Sequence, residues 1–237
     1  MMTLRERMQP SVKARKVFHH MLLPKTELDA EIIEGFGRYY TTPSGLKYPS
    51  VTTALGLLSK AAIEDWKDRV GVDEARKILN QACHRGTLVH NIAEKYVLND
   101  PNWAKDEFPF DLHTFSKIAP ILDKRVDYIM GIEYPLWSDR LRTAGRTDLI
   151  AMWDGSPAII DFKTSRKVKH KENIQNYFMQ ATAYAAMLKE RLNIVCKDIV
   201  ILMMVDHEDP IIFHDKTKNW ITTTTDFFKA YRDPMIN

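Results

Sequence analysis

The spacing of apolar residues along the chain changes near residue 129. Before that point apolar positions recur every three to four residues, most clearly over Asp73–Leu98, and this spacing predicts helices. Beyond it, short apolar or alternating runs are bounded by turn residues, which is typical of strands. The predicted helices cover 50–58, 61–70, 73–98, 112–128, 174–191 and 226–231, and Gly86 is a candidate break in the longest one. The predicted strands cover 31–34, 38–42, 46–48, 129–137, 143–153, 158–163, 198–205 and 211–213.

The order of these elements predicts an α/β fold with a mixed central sheet flanked by helices. Asp154-Gly155 marks a tight hairpin between two of the strands. The fully apolar run Ile199–Val205 is expected at the centre of the sheet, with both faces covered. Since no repeat or flexible linker interrupts the chain, a single domain is predicted over 1–237. Its parts are a loosely held basic arm over 1–25, a mainly helical part over 50–128, an αβββαβ-type core over 129–214 and a C-terminal helix over 222–237.

Composition excludes several classes of protein. The 237 residues are 45% hydrophobic and 27% charged, which is incompatible with a disordered or low-complexity chain. Cys83 and Cys196 are too few for a disulfide scaffold or a four-cysteine iron–sulfur cluster. The longest apolar run is too short to span a membrane, and the charged N-terminus lacks the apolar core of a signal peptide. These features predict a reducing, cytoplasmic location and no membrane partner.

Basic residues are concentrated in two places, although the net charge is only +3. Residues 1–20 carry five cations against one acid, and residues 163–171 carry five cations and no acid. Clustered cations on a nearly neutral chain favour a focused site for a polyanion such as nucleic acid. A solvated surface explains the same charges equally well.

The strands around the predicted hairpin carry the densest candidate chemistry. Asp148 ends the segment GRTD (145–148), and Asp161 and Lys163 lie near the end of the next strand. Alternate strand residues share a face, so Asp161 and Lys163 point the same way, and pairing through the hairpin brings Asp148 close to them. Two carboxylates and a backbone carbonyl suit Mg²⁺ or Mn²⁺, and a neighbouring lysine can orient water and offset phosphate charge. A surface ion pair at a strand end is the alternative interpretation.

Two helical segments carry further candidate residues. Gln180 and Tyr184 are four residues apart in the helix that follows the DFK strand, so they share one face. His90 lies in the earlier helical region, where a neutral imidazole could complete a metal site beside the two aspartates. Gln180 and Tyr184 could instead form the polar edge of an amphipathic helix, and His90 could be a packed core residue.

Four segments in this order resemble the RecB-like exonuclease branch of the PD-(D/E)XK nuclease superfamily. They are RGTLVH (85–90), GRTD (145–148), IIDFKTS (159–165) and QATAY (180–184), and the resemblance spans 82–205. The segment YPSVTT (48–53) resembles the corresponding part of the mitochondrial genome maintenance exonuclease group and of related phage nucleases. The resemblance implies a restriction-endonuclease-like core, a metal-dependent exonuclease activity, and an Mg²⁺ or Mn²⁺ cofactor. An iron–sulfur cluster is not expected.

The resemblance also implies roles for individual residues. Lys163 would be the catalytic lysine, and Gln180 and Tyr184 would support the active site. Glu133 lies near a position where members of the family often carry a glutamate, so it is a further candidate ligand; a solvent-facing glutamate at a strand edge is the alternative. One imidazole, two catalytic carboxylates and one backbone carbonyl supply the remaining implied ligands: His90, Asp148, Asp161 and Phe162.

Candidate DNA contacts surround these residues. Ser50, Thr52 and Thr53 begin a predicted helix, whose free N–H groups and hydroxyls suit a phosphate, although a simple cap needs only Ser50. If His90 reaches Asp148, the helices roof the site, which favours single-stranded DNA or free ends over internal duplex. Cations and hydroxyls near the catalytic β-strand are further candidates, and such contacts would position the DNA without reading its sequence. They are Arg85, Arg146, Thr164, Ser165, Arg166, Lys167, Lys169 and Lys171.

The leading hypothesis is a deoxyribonuclease that uses one or two Mg²⁺ or Mn²⁺ ions and degrades DNA from strand ends in replication, repair or recombination. The alternatives are a structure-specific endonuclease of the same fold and a catalytically inactive DNA-binding protein. The sequence contains no helicase phosphate-binding loop, so a helicase or replication protein would be a separate partner. The expected location is the cytoplasm of a bacterium or of a phage-infected host.

Overall fold

The segments with helical spacing form helices and the alternating segments form strands in the computed structural model, which describes residues 16–235. The strands are β1 (His19–His20), β2 (Asp29–Ile33), β3 (Gly37–Thr41), β4 (Lys47–Pro49), β5 (Val126–Ser138), β6 (Thr143–Trp153), β7 (Ser156–Ser165), β8 (Asp198–Val205) and β9 (Ile211–Lys216). The helices are α1 (Val51–Gly56), α2 (Lys60–Val70), α3 (Val72–Val97), α4 (Pro109–Ser116), α5 (Ala119–Arg125), α6 (Gln175–Leu192) and α7 (Ile221–Ala230). Short 3-10 turns lie at Leu57–Ser59, Lys171–Asn173 and Thr217–Asn219.

A mixed sheet with the strand order β1-β5-β6-β7-β8-β9 lies at the centre. Antiparallel pairing joins β5 to β6, β6 to β7, and β8 to β9, while β1 pairs with β5 and β7 with β8 in parallel. A parallel pair needs a crossover connection, and α6 provides it between β7 and β8. These observations confirm the predicted α/β class with a mixed central sheet flanked by helices.

The two faces of the sheet have separate apolar cores, because side chains alternate along each strand. Ile159 and Ile201 pack beneath α6 on one face, while Ile160 and Phe162 pack against α3, α4 and α5 on the other. All residues of β8 are buried, as predicted for a strand covered on both faces, although β8 is second from the edge rather than central.

The predicted hairpin between β6 and β7 is confirmed. The turn residues Asp154 and Gly155 both have positive φ, 48° and 76°, which is the backbone conformation that a two-residue hairpin turn of type I′ requires. Because this turn fixes which residues of the two strands lie opposite each other, it also fixes the relative positions of the carboxylates farther along them.

A small antiparallel sheet, ordered β2-β3-β4, lies beside the start of β6. Ser50 forms an isolated bridge with Ala144, and Ala144 packs in a small core with Leu28, Tyr40 and Tyr48. The Ser50 hydroxyl accepts a hydrogen bond from the Thr53 N–H and caps α1. This contact attaches the small sheet and α1 to the central sheet close to Arg146 and Asp148.

The prediction of a loosely held arm over 1–25 is wrong for residues 16–25. Residues 1–15 lie outside the described residues. His19 and His20 form an edge strand beside β5. Phe18 is buried, and its backbone N–H and C=O both bond to the side chain of Asn99. The sequence hides this strand because its stabilising partners are more than 75 residues away along the chain.

Three helix boundaries also differ from the prediction. The predicted helix over 112–128 is two helices, α4 and α5, because Pro120 lacks the N–H that would continue α4 and suits the first turn of α5 instead. Gly86 does not break α3, which continues through it to Val97. The C-terminal helix ends at Ala230 rather than continuing to 237. None of the helices within residues 16–235 contains an apolar stretch that could span a bilayer.

Candidate active site

Three carboxylates lie side by side where β5, β6 and β7 run next to one another. The pairs Ile132–Leu149 and Tyr134–Thr147 enclose the position where Glu133 faces Asp148. The pair Leu149–Ile160 precedes the position where Asp148 faces Asp161. The register of three strands therefore brings together Glu133, Asp148 and Asp161.

β6 and β7 separate at this row of carboxylates. Their backbone pairing ends at Leu149–Ile160, and the next N–H of β7 that faces β6, that of Phe162, donates instead to Asp148 Oδ2 at 2.8 Å. A side-chain carboxylate thus replaces a backbone acceptor at the fork between the strands. This hydrogen bond fixes the orientation of Asp148 and leaves its other oxygen free to face His90.

His90 reaches the fork from α3. Its Nε2 lies 2.8 Å from the Phe162 carbonyl oxygen, and its Nδ1 lies 3.6 Å from Asp148 Oδ1. A carbonyl oxygen can only accept, so Nε2 carries a proton, and in the neutral ring Nδ1 then presents its lone pair to Asp148. A histidine held through one nitrogen by a backbone carbonyl is a typical arrangement for a metal ligand that binds through the other.

His90, Glu133 and Asp148 form a cluster in which one donor atom from each lies within 4.8 Å of the others, and all three are half-buried. One nitrogen and several carboxylate oxygens at this spacing fit a divalent cation, and carboxylates favour Mg²⁺ and Mn²⁺. The Phe162 carbonyl accepts from His90 and keeps a second lone pair. These residues could therefore hold the predicted metal ion.

The position of Glu133 affects both its backbone conformation and its pKa. Its φ of 42° lies in the left-handed region, which residues other than glycine adopt at a cost. Burial, and secondarily the negative charge of Asp148, raises the pKa of Glu133 to about 7. A strained, partly desolvated carboxylate beside two other donors supports the ligand interpretation over the solvent-facing alternative.

Asp161 and Lys163 form a buried pair beside the donor cluster. The ammonium lies 2.5 Å from Asp161 Oδ2, and Gln180 on α6 donates to Asp161 Oδ1 at 3.1 Å. Burial raises the pKa of Asp161 above its ordinary value despite the neighbouring lysine. Burial alone would lower the pKa of Lys163, but Asp161 and Asp148 outweigh it and raise that pKa, so the side chain stays an ammonium.

Tyr184 closes the site from α6. A Cβ atom at Gly145 would lie 2.6 Å from its hydroxyl, so the glycine of the GRTD segment is required for this close approach. Burial, followed by the charges of Asp148 and Asp161, raises the pKa of Tyr184 well above its ordinary value. Tyr184 therefore remains a neutral phenol that can donate a hydrogen bond.

Tyr177 is a site residue that the sequence interpretation missed. The ammonium groups of Lys163 and Lys169 lie 5.3 and 5.1 Å from the centre of its ring, and Lys169 also donates to its hydroxyl at 3.0 Å. The signal was present in the sequence, because Tyr177 precedes Gln180 by three residues and Tyr184 by seven, which places all three on one helical face.

Most of the predicted DNA contacts are engaged within the protein. Arg85 forms an ion pair with Asp206 at 2.6 Å, and Arg146 pairs with Glu27 at 2.9 Å. At the start of α1, Ser50 is buried while Thr52 is exposed, and Thr53 bonds to the backbone of Arg38. The hydrogen bonds therefore support an N-cap role for Ser50. Phosphate binding at the start of α1 stays a prediction.

The side chains of the basic segment that follows β7 point in two directions. Ser165 shapes the turn by accepting from the Lys167 N–H and donating to its carbonyl, and Thr164 is half-buried. Arg166 reaches α3 and donates to Gln81 at 2.6 Å. Lys171 points the other way, to Asp215 of β9 at 2.8 Å. The run is therefore not one groove wall, although the Arg166 end lies beside α3 and its histidine.

A forked mixed sheet with a carboxylate–imidazole cluster next to a buried Asp–Lys pair defines a candidate hydrolytic metal centre of an α/β protein. Residues 104–204 match the family model of the PD-(D/E)XK nuclease superfamily. Its nucleases typically use divalent metal ions. The matched range does not contain His90, but it contains the other residues of the candidate active site: Glu133, Asp148, Asp161, Lys163, Gln180 and Tyr184.

Other comparisons add little. No curated protein matches the chain. Among solved structures, a candidate exonuclease from Eubacterium rectale is similar with a TM-score of 0.44 and 12% identity, over 61% of this chain and 64% of that one. The present chain thus covers less than two thirds of that protein. A similarity of this size carries no conclusion about substrate or reaction.

Proposed function

We propose that this protein is a metal-dependent deoxyribonuclease of the RecB-like type that degrades DNA from its ends. The observation that carries the proposal is the position of the His90–Glu133–Asp148 donor cluster directly beside the Asp161–Lys163 pair. Phosphodiester hydrolysis needs a divalent cation and a fixed positive charge, because charge develops on both the attacking water and the phosphate. The cluster supplies donors for the cation, and the adjacent ammonium supplies the fixed charge.

Each side chain has a defined task in this proposal. Mg²⁺ or Mn²⁺ held by the donor cluster, with Asp161 and the Phe162 carbonyl at its edge, would activate the phosphate as a Lewis acid. Lys163 stays protonated, so it offsets negative charge on the phosphate and orients the attacking water. Gln180 fixes the Asp161 carboxylate through its 3.1 Å hydrogen bond.

The segments that surround the candidate centre support a DNA end as the substrate. Helix α3 covers one side of the carboxylates through His90, and the hydrogen bond from Arg166 to Gln81 joins the same helix to the loop after β7. A centre covered in this way is more accessible to a flexible single strand or a duplex end than to an internal duplex site. Thr52 and Lys167 are exposed and available for phosphates.

The test is degradation of end-labelled linear single-stranded DNA compared with circular single-stranded DNA, in Mg²⁺, in Mn²⁺ and in a chelator. We expect metal-dependent loss of the linear substrate while the circular one persists. Cleavage of circular DNA would instead indicate an endonuclease. Binding without cleavage in either metal would indicate an inactive DNA-binding protein, and preferential cleavage of linear RNA would reassign the substrate.

The cellular setting follows as part of the same proposal. A nuclease of this kind would act in DNA replication, repair or recombination in a bacterial or phage-infected cytoplasm, with any helicase as a separate protein. Linear substrates blocked at the 5′ or the 3′ end would give the polarity of degradation.

A further inference from the structure

A cavity of about 670 Å³ lies between the second half of α6, helix α7 and the turn that joins β5 to β6. None of the proposed active-site residues lines it. Its volume falls within the roughly 300–1,000 Å³ that is usual for ligand sites, so it has room for a short segment of chain rather than a single ion. The cavity is called the α6–α7 groove below.

The floor of the α6–α7 groove is apolar and close to the helix backbone. Ala185 and Ala186 of α6 line the groove together with Leu141 and Ile221, and small side chains let a ligand approach the helix closely. Val195 at the groove is 49% exposed, which leaves apolar surface in contact with water. A ligand that covers this floor would gain hydrophobic burial.

The polar groups of the α6–α7 groove are mainly cations. Arg140 has no ion pair or hydrogen bond among residues 16–235, and Lys189 bonds only to the neutral amide of Asn193. Lys229 is a third cation, 3.5 Å from the exposed Asp226. The only acid among the lining residues, Glu190, is already neutralised by Arg191 at 2.5 Å. The groove therefore carries a net positive charge.

The other polar groups are already used. The Thr217 hydroxyl donates to the Cys196 carbonyl at 2.8 Å, and the Thr225 hydroxyl donates to the Ile221 carbonyl at 2.8 Å. Apart from the amide of Asn193, the donors that remain are cations, so an anionic ligand is complementary to the groove. Aromatic side chains are absent from the lining residues, and bases of a nucleic acid would have nothing to stack on.

We propose that the α6–α7 groove docks an acidic, amphipathic peptide segment of a partner protein. Its carboxylates would pair with Arg140, Lys189 and Lys229, and its aliphatic side chains would cover the alanine floor of α6. Charge complementarity of this kind selects the partner and speeds the encounter, while burial of the apolar side chains holds the complex. The site is separate from the carboxylate centre and does not depend on nuclease activity.

The test uses a fluorescein-labelled peptide of Asp and Leu residues and a second peptide in which every Asp is replaced by Asn. We expect the acidic peptide to bind and raise fluorescence anisotropy, while the Asn peptide does not. The double variant Arg140→Glu, Lys189→Glu should weaken binding by about tenfold or more. Lys218→Glu makes the same kind of charge change on an exposed residue outside the groove and should leave binding unchanged.

Ala186→Trp supplies an independent variant, because it fills the floor without changing the charge. It should also reduce binding, and circular dichroism would establish that each variant is folded. If the double variant does not fold, Arg140→Glu alone and Ala186→Trp carry the test. Equal binding by the Asn peptide, an equal loss in Lys218→Glu, unchanged binding in the folded groove variants, or displacement of the peptide by oligothymidylate would each overturn the proposal. None of these results would bear on cleavage.

Discussion

Two aspartates in neighbouring strands, Asp161 of β7 and Asp198 of β8, are equally inaccessible to solvent but have opposite electrostatic surroundings. Each is 1% exposed, and each has a lysine ammonium 2.5 Å from a carboxylate oxygen. Asp198 also accepts from the hydroxyl of Ser156 and from the ring of His214. Among the described residues, Asp161 has only the amide of Gln180 in addition, and it faces a second carboxylate, Asp148.

The pKa values of these aspartates follow from this difference and from the deeper burial of Asp161 in the protein. Burial raises the pKa of Asp198, but the hydrogen bonds from Lys216, Ser156 and His214 outweigh it, and the pKa is lowered. Burial raises the pKa of Asp161, and Lys163 does not compensate fully. A buried carboxylate with enough donors stabilises the fold, whereas one short of positive charge is suited to a further cation. The comparison separates a structural aspartate from a proposed functional one without reference to any motif.

The largest expected effect is on cleavage by Asp161→Asn. This change removes a charge but little volume, so we expect the rate to fall by about a thousandfold or more, since metal assistance is worth several kcal/mol. Asp198→Asn is the matched control and should keep near-normal cleavage. Rates on linear single-stranded DNA, with thermal unfolding of both variants, provide the measurement. Unfolding of Asp161→Asn, or equal loss of activity in both variants, would remove the functional distinction.

A second, smaller effect is expected from the lysines that accompany the two aspartates. Lys163→Ala should lower cleavage by about a hundredfold, because it removes a fixed positive charge from the phosphate site. Calorimetric Mn²⁺ titration should still detect binding, since Lys163 is not a ligand. Lys216→Ala removes the corresponding cation beside Asp198 and should leave the rate unchanged. Near-full turnover of Lys163→Ala would show that its pair with Asp161 is only structural.

The third prediction concerns the pH dependence of metal binding at Glu133. Its pKa is raised to about 7, so the carboxylate is mainly protonated below that pH and must lose its proton to bind a cation. Mn²⁺ affinity should therefore fall by about tenfold between about pH 8 and about pH 6. Glu133→Gln should bind more weakly at pH 8 and lose most of this dependence. A full pH dependence retained by the variant would exclude Glu133 from the metal site.

The smallest effect is on stability, and it distinguishes Asp198. Its lowered pKa means that its ionised form stabilises the fold above its ordinary pKa of 3.8 and that this contribution is lost as the pH falls through the folded-state value. Asp198→Asn should cost about 1–3 kcal/mol near neutral pH. The deficit relative to wild type should shrink below about pH 4 in urea unfolding measured across pH. A deficit that is constant with pH would contradict the assignment.

Local signals predicted much of the fold and part of the site. The two-residue turn at Asp154-Gly155 sets the register of β6 and β7, and that register alone brings Asp148 opposite Asp161. Helical spacing placed Gln180 and Tyr184 on the face that meets the sheet, where Gln180 contacts Asp161. Helix and strand periods are properties of adjacent residues, so the sequence contains them directly.

Contacts between distant parts of the chain were not accessible in this way. The partners of Arg85 and Arg146 are Asp206 and Glu27, each more than 100 residues away, and nothing in the local sequence distinguishes such paired arginines from free ones. The left-handed backbone and raised pKa of Glu133 likewise depend on burial between strands.

The periods of the elements, the hairpin and the spacing of Asp161 and Lys163 can be read from neighbouring residues, because they depend on short-range backbone geometry. Three features depend on the folded chain: His90 reaches the fork between β6 and β7, residues 19–20 extend the sheet, and Asp161 lacks the donors that Asp198 has. The physical reason is that solvation and charge balance depend on every group within a few ångströms, whatever its distance along the chain.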